Sequence, residues 1–225
     1  MPRETRHVEI PSGDVLLKGD LAERLKAKGL VIFAHGSGSG RLSPRNRFVS
    51  LALQEAGFST LLADLLTERE EEIDRFTAKL RFDIRLLADR LLGLADWARR
   101  LPHAQAVPIA YFGASTGAAA ALIAAAERPE GVFAVVSRGG RPDLAMKQLH
   151  AVKAPTLLIV GGDDAEVLRL NEAAARLLTA EHELRIVPRA THLFEEPGTL
   201  EKVAQMAADW FSAHAAEAGL LQLKR

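Results

Sequence analysis

The chain contains no cysteine. That excludes disulfides, thiolate metal ligands and a cysteine nucleophile, and it fits a reducing compartment. It has no surplus of charge either. The 29 Lys and Arg residues balance the 29 Asp and Glu, so nothing in the charge points to DNA, RNA or an anionic membrane. Long apolar runs are missing, and Met1 to His7 hold no apolar stretch of the kind a secretion signal needs. There is no HExxH, no clustered carboxylate–histidine set and no GxxxxGK[ST] loop, so no metal site and no phosphate loop is expected. These absences lead us to expect a cytoplasmic protein that works without cofactor or metal and has neither nucleic-acid nor membrane partner. They are compatible with a homo-oligomer.

What remains is 225 residues, 48% hydrophobic and 26% charged. That is enough for one sizeable core and little more, so residues 1–225 are expected to form a single domain. Residues 8–11 and 15–21 are apolar-rich and flank Ser12-Gly13-Asp14, which reads as a hairpin. Residues 30–34, 58–63, 107–112, 132–136, 156–160 and 184–187 are short apolar runs of the kind expected in buried strands. Between them lie helical stretches at 46–56, 82–101, 118–128, 167–178 and 200–213. In the second of these, Phe82, Leu86, Leu87, Leu91, Leu94 and Trp97 fall on one face. Residues 67–74, with Glu70-Glu71-Glu72, read as a solvated loop or a helix start. Alternation of strand and helix implies an α/β protein with about eight strands, mostly parallel, and helices on both faces.

The chain is organised around Gly113-Ala114-Ser115-Thr116-Gly117, which follows one apolar run and opens a small-residue helix. A G-x-S-x-G turn between strand and helix holds its serine strained and raised above the sheet. A serine hydroxyl needs a base, and the base needs an anion. His192 stands in a loop after the last strand, and Asp163 and Asp164 follow the strand at 156–160. Ends of parallel strands share one edge, so these groups can meet at Ser115. His7, His103, His150, His182 and His214 fall on helix ends or polar segments and read as structural or solvated. Acyl transfer also needs two N–H donors for the carbonyl oxygen. Thr116, just after the serine, and Ser37, in His35-Gly36-Ser37-Gly38, are the candidates, with Gly36 beside the substrate. The same loop does not complete the dinucleotide fingerprint G-x-G-x-x-G, because position 41 is arginine.

The order Ser, acid, His is that of the α/β-hydrolases, and the chain resembles that superfamily over nearly its whole length. HGSGSGRLSPRNR (35–47), SRGGRPDLA (137–145) and THLFEEPGTLE (191–201) resemble, more narrowly, a bacterial branch of the dienelactone-hydrolase-like group often fused to phosphoribosyltransferases. No phosphoribosyltransferase domain or pyrophosphate loop is present. Gly161-x-x-Asp164-x-x-Val167 matches the superfamily's pattern after this strand, which favours Asp164 as the acid and leaves Asp163 to cap the next helix. Dienelactone hydrolases proper use a cysteine nucleophile. With serine in its place, the resemblance implies ester hydrolysis through Ser115, His192 and Asp164. Thioester, lactone or amide hydrolysis on the same triad, or a hydrolase-like binding module without turnover, are the alternatives. Arg138 and Arg141 could hold an acidic group of a small-molecule ester substrate. Between residue 137 and residue 155 there is room for a turn and one short helix at 143–149. We therefore expect a minimal cap or none, with the charged stretch 65–79 as the other cover.

Overall fold

A computed structural model describes residues 5–101 and 108–222, with side chains to residue 216. Met1, His103 and residue 107, given above, lie outside the described residues. The chain opens with a hairpin of β1 (Arg6–Ser12) and β2 (Val15–Ala22), in which Ser12 pairs with Val15. Six further strands follow: β3 (Leu30–Ala34), β4 (Ser59–Ala63), β5 (Ile109–Ala114), β6 (Val132–Arg138), β7 (Thr156–Gly161) and β8 (His182–Val187). They form one eight-stranded sheet in the order β1-β2-β4-β3-β5-β6-β7-β8. The pairings of β2 with β1 and with β4 are antiparallel, and the rest are parallel.

The helices are α1 (Pro44–Glu55), α2 (Glu68–Thr77), α3 (Ile84–Arg99), α4 (Thr116–Glu127), α5 (Ala165–Ala175) and α6 (Thr199–Gln222). They cover both faces, and this explains why the central strands are apolar throughout. Leu30, Ile32 and Tyr111 point into a core shared with α3 and α4, while Val31, Phe33 and Phe112 point into one shared with α1 and α6. On the second face the rings of Phe58, Phe133 and Phe211 pack together at centroid distances of 5.9–6.2 Å. Offset and edge-on packing of this kind adds to the apolar burial.

Two expectations change, and one open alternative is decided. The stretch at 67–74, read as a solvated loop or a helix start, is the start of α2. Thr67 accepts the N–H of Glu70, and the Glu70 carboxylate accepts the N–H of Thr67, a reciprocal cap that starts the helix despite its charge. Phe82 does not belong to the apolar face of α3. It sits, 55% exposed, in a 3₁₀ turn (Leu80–Phe82), and α3 starts after Asp83, whose side chain accepts the N–H of Leu86. Between β6 and β7 there are only 3₁₀ turns, Pro142–Ala145 and Leu149–Ala151, in place of the helix expected at 143–149. Less decisively, α1 starts two residues earlier than expected because Ser43 caps it and Pro44 opens it.

The phenylalanine cluster and the exposed rings make opposite predictions. Phe211→Ala should cost about 3–5 kcal/mol, as large-to-small changes in a closed core do. Phe76→Ala, at a ring that is 93% exposed on α2, should stay within about 0.5 kcal/mol of the parent. Urea unfolding of the two variants checks the contrast.

Candidate active site

The end of β5 turns into α4 within one residue. Ser115 takes φ 50° and ψ −122°, a conformation a non-glycine residue holds only when its surroundings over-determine it. The surroundings do so here. A Cβ on Gly113 would fall on the backbone of Ala118, and one on Gly117 would fall on the carbonyl of Ala34. The Ser115 N–H donates to the Arg138 carbonyl (3.2 Å), and the Ser115 carbonyl accepts from Ala118 and Arg141 (both 3.1 Å). The turn is thus bonded to the end of β6 and packed against the end of β3.

Two other loops reach this turn. The loop after β8 brings His192, whose Nε2 lies 3.3 Å from Ser115 Oγ. The loop after β7 brings Asp164, whose Oδ2 lies 2.7 Å from His192 Nδ1. The arrangement has Nδ1–H donate to the carboxylate and leaves Nε2 free to accept from the serine. Asp164 occupies the N-cap position of α5, yet its side chain caps nothing. The carboxylate is committed to the histidine and sheltered at 14% exposure, while the imidazole is 38% exposed. Asp163, expected to cap that helix, instead points to solvent and ties the two loops through its N–H to the Ala190 carbonyl (3.0 Å).

The loop after β3 forms the third side. Gly36 runs so close to the turn that a Cβ there would lie 3.0 Å from Ser115 Cβ. Ser37 donates its N–H to Thr116 Oγ1 (3.1 Å), and the two hydroxyls are 3.0 Å apart. Sequence reasoning overlooked what holds this loop. His35 is buried, its Nδ1 donates to the Gly36 carbonyl (3.0 Å), and its Nε2 accepts the N–H of Leu65 (2.9 Å). Acceptance from Leu65 needs the neutral ring, and burial pushes its pKa below the ordinary value.

A cavity of about 670 Å³ opens beside Gly36 and Ser37, walled by the loop before α1 and by α2. Its wall is charged: Asp64, Glu71, Asp74, Arg41 and Arg81 all line it. The α2 wall comes from the charged stretch 65–79, which the sequence offered as a cover. Of the two arginines expected to meet substrate, Arg141 forks onto Asp143 with both bonds at 2.8 Å. Arg138 closes β6 and is buried. Among the described residues, no group of three or more His, Asp or Glu is placed to hold a metal, and no helix is long and apolar enough to cross a membrane.

The sequence pattern of the dienelactone hydrolase family matches residues 17–218. The chain belongs to that family. A dienelactone hydrolase from Anabaena variabilis shares 58% identity and superposes with a TM-score of 0.92, over 95% of this chain and 98% of that one. The sheet described above is accordingly the α/β-hydrolase fold. Est1E from Butyrivibrio proteoclasticus has the same fold at 16% identity, with a TM-score of 0.79 over 93% of this chain and 99% of that one. A relative from Mycobacterium tuberculosis, provisionally named a phosphoribosyl transferase, is 54% identical over 213 residues. Those residues are 95% of this chain and 47% of the relative. This family member therefore spans about half the length of the curated relatives it matches.

His35 makes stability depend on pH. Its folded pKa lies below the unfolded value near 6.5, so the unfolded chain binds the proton first. Its contribution should be complete above about pH 6.5 and fade as the pH falls from there towards the folded pKa. Thermal melts of the parent and of His35→Gln between pH 7.5 and 5 should show a smaller loss on acidification in the variant. Parallel curves would remove His35 as the cause.

Proposed function

We propose that the protein is a serine hydrolase that cleaves small esters with short acyl groups. The observation that carries this reading is the hydrogen-bonded chain Asp164–His192–Ser115 at the C-terminal edge of the sheet. Ser115 Oγ attacks the ester carbonyl while His192 Nε2 takes its proton. His192 then gives that proton to the departing alcohol, and Asp164 holds the imidazolium in place. Water, activated by the same histidine, attacks the acyl-enzyme and releases the acid. The backbone N–H groups of Thr116 and Ser37 are the donors for the developing oxyanion. The Ser37 N–H becomes available when the Thr116 hydroxyl turns away from it. Gly36 keeps the floor of the site at backbone height, so that the substrate can approach Ser115.

A fluorophosphonate probe tests the reading against a hydrolase-like module without turnover, because it labels only an activated serine. Ser115→Ala should abolish labelling and lower kcat on a simple acetate ester roughly 10³-fold or more. Asp164→Asn should cost roughly 10³- to 10⁴-fold through the wrong histidine tautomer. Asp163→Asn should cost far less, and the reverse ranking would move the acid to Asp163.

Acyl length follows from the walls. Each buried CH₂ contributes about 0.8 kcal/mol against an apolar surface, and the cavity beside Gly36 and Ser37 is lined by carboxylates and guanidiniums. On p-nitrophenyl esters, kcat/KM should peak between acetate and butyrate. A rise continuing into long chains would contradict the short-acyl reading.

A further inference from the structure

Arg138 is 7% exposed, and its Nε and Nη1 meet no acceptor among the described residues. Arg90, equally buried, leaves only its Nε unmatched, since its Nη1 donates to the Ser12 carbonyl and its Nη2 to the Glu70 carboxylate. Arg138 has instead the ring of Phe194, with its guanidinium carbon 6.0 Å from the centroid, and a second cation, Arg45, from the first turn of α1. Arg45 reaches the exposed Glu195 through Nη1 at 3.1 Å, and its own buried Nε is also without an acceptor. Burial and the neighbouring guanidinium push Arg138 down to about 10, so it is still a cation at neutral pH. A buried cation without an anion is among the costliest arrangements in a protein interior, and a second cation beside it raises the cost. Both arginines stand near the nucleophile. The Arg138 carbonyl accepts the Ser115 N–H, Arg45 lines the cavity beside Gly36 and Ser37, and Phe194 is two residues from His192.

We propose that Arg138 and Arg45 form a subsite for a phosphate group carried by the ester substrate, flanking Ser115 on the α1 side of the sheet. The proposal rests on Ser115 being the nucleophile. One arginine fork satisfies a carboxylate, whereas three unmatched donor nitrogens on two guanidiniums suit an anion with three peripheral oxygens and up to two charges.

The test uses three aryl acetates that differ only at the para position: methyl, carboxylate or phosphate. Fluorophosphonate labelling of the same preparation reports on Ser115 separately. In the parent protein, kcat/KM should favour the phosphate-bearing acetate over the methyl one by 10-fold or more, and inorganic phosphate should compete with it. The phosphate-to-methyl ratio should fall roughly 10- to 100-fold in Arg138→Met, in keeping with lost hydrogen bonds to a charged group. If Arg138→Met does not fold, Arg45→Gln at the start of α1 carries the test through the same ratio. A labelled protein that treats the three acetates alike overturns the subsite and leaves the serine hydrolase standing. Preference for the carboxylate overturns the assignment to phosphate. A loss of turnover in the variants at constant ratio shows a structural role for the arginines and overturns the proposal. Absence of labelling removes the reading on which it rests.

Discussion

The closest approach in the molecule that function depends on is between α4 and the end of β3. Gly117 lies against the carbonyls of Ala34 and His35 with no space for a side chain. That contact is possible because β3 and β5 run parallel in register, with Ala34 opposite Gly113. It sets the height of Ser115 above the sheet, and it sets the distance from Ser115 to the loop that leaves β3. The strained dihedrals of the serine are a consequence: the helix is held so near the strand that the chain has one residue in which to reverse. Strain of this kind persists only where neighbours over-determine it, and the carbonyl of Arg138 and the N–H groups of Ala118 and Arg141 are those neighbours.

The three loops that meet at the turn are held in different ways. The β3 loop is fixed by a neutral buried histidine bonded on both nitrogens. The β7 loop is fixed by the start of α5, which leaves the Asp164 carboxylate uncommitted to its own helix. The β8 loop passes through two left-handed residues, Arg189 at φ 61° and Phe194 at φ 55°, and is anchored by the buried ring of the second. His192 hangs between these two points, so its position depends on a hydrophobic contact as much as on its hydrogen bond to Asp164.

The serine turn and its partners could be read from the sequence because each piece is local. G-x-S-x-G marks a backbone shape, and an acid and a histidine just beyond apolar runs must lie at one edge of a parallel sheet. The core was legible for the same reason: strands buried on both faces are apolar without interruption. α2 was legible only in part, because its residues, read by charge alone, left a solvated loop and a helix start both open, and the polar cap that decides for the helix is a side-chain contact. Phe82 misled in the opposite sense, since an aromatic ring in helical phase was counted as core although the helix starts after it. The state of Arg138 had no local signal at all. Its burial comes from Phe194 and α1, more than fifty residues away on either side, and only the folded chain shows that no carboxylate accompanies it among the described residues.

The two ends of the sheet are unlike its centre. β1 carries Arg6 and Glu9 at exposed positions and places Pro11 near the hairpin turn. β8 is half-buried or exposed along all of its length but Val187 and sets Glu183 and Arg185 in contact. An open strand edge offers unpaired amide and carbonyl groups to any passing strand, and charge or proline on that edge makes the offer unattractive. A second copy extending the sheet from β8 would have to strip water from an ion pair to do so. The molecule therefore ends its sheet chemically as well as topologically. Two copies of this chain that associate have reason to do so through helices or loops, leaving the strand edges in water.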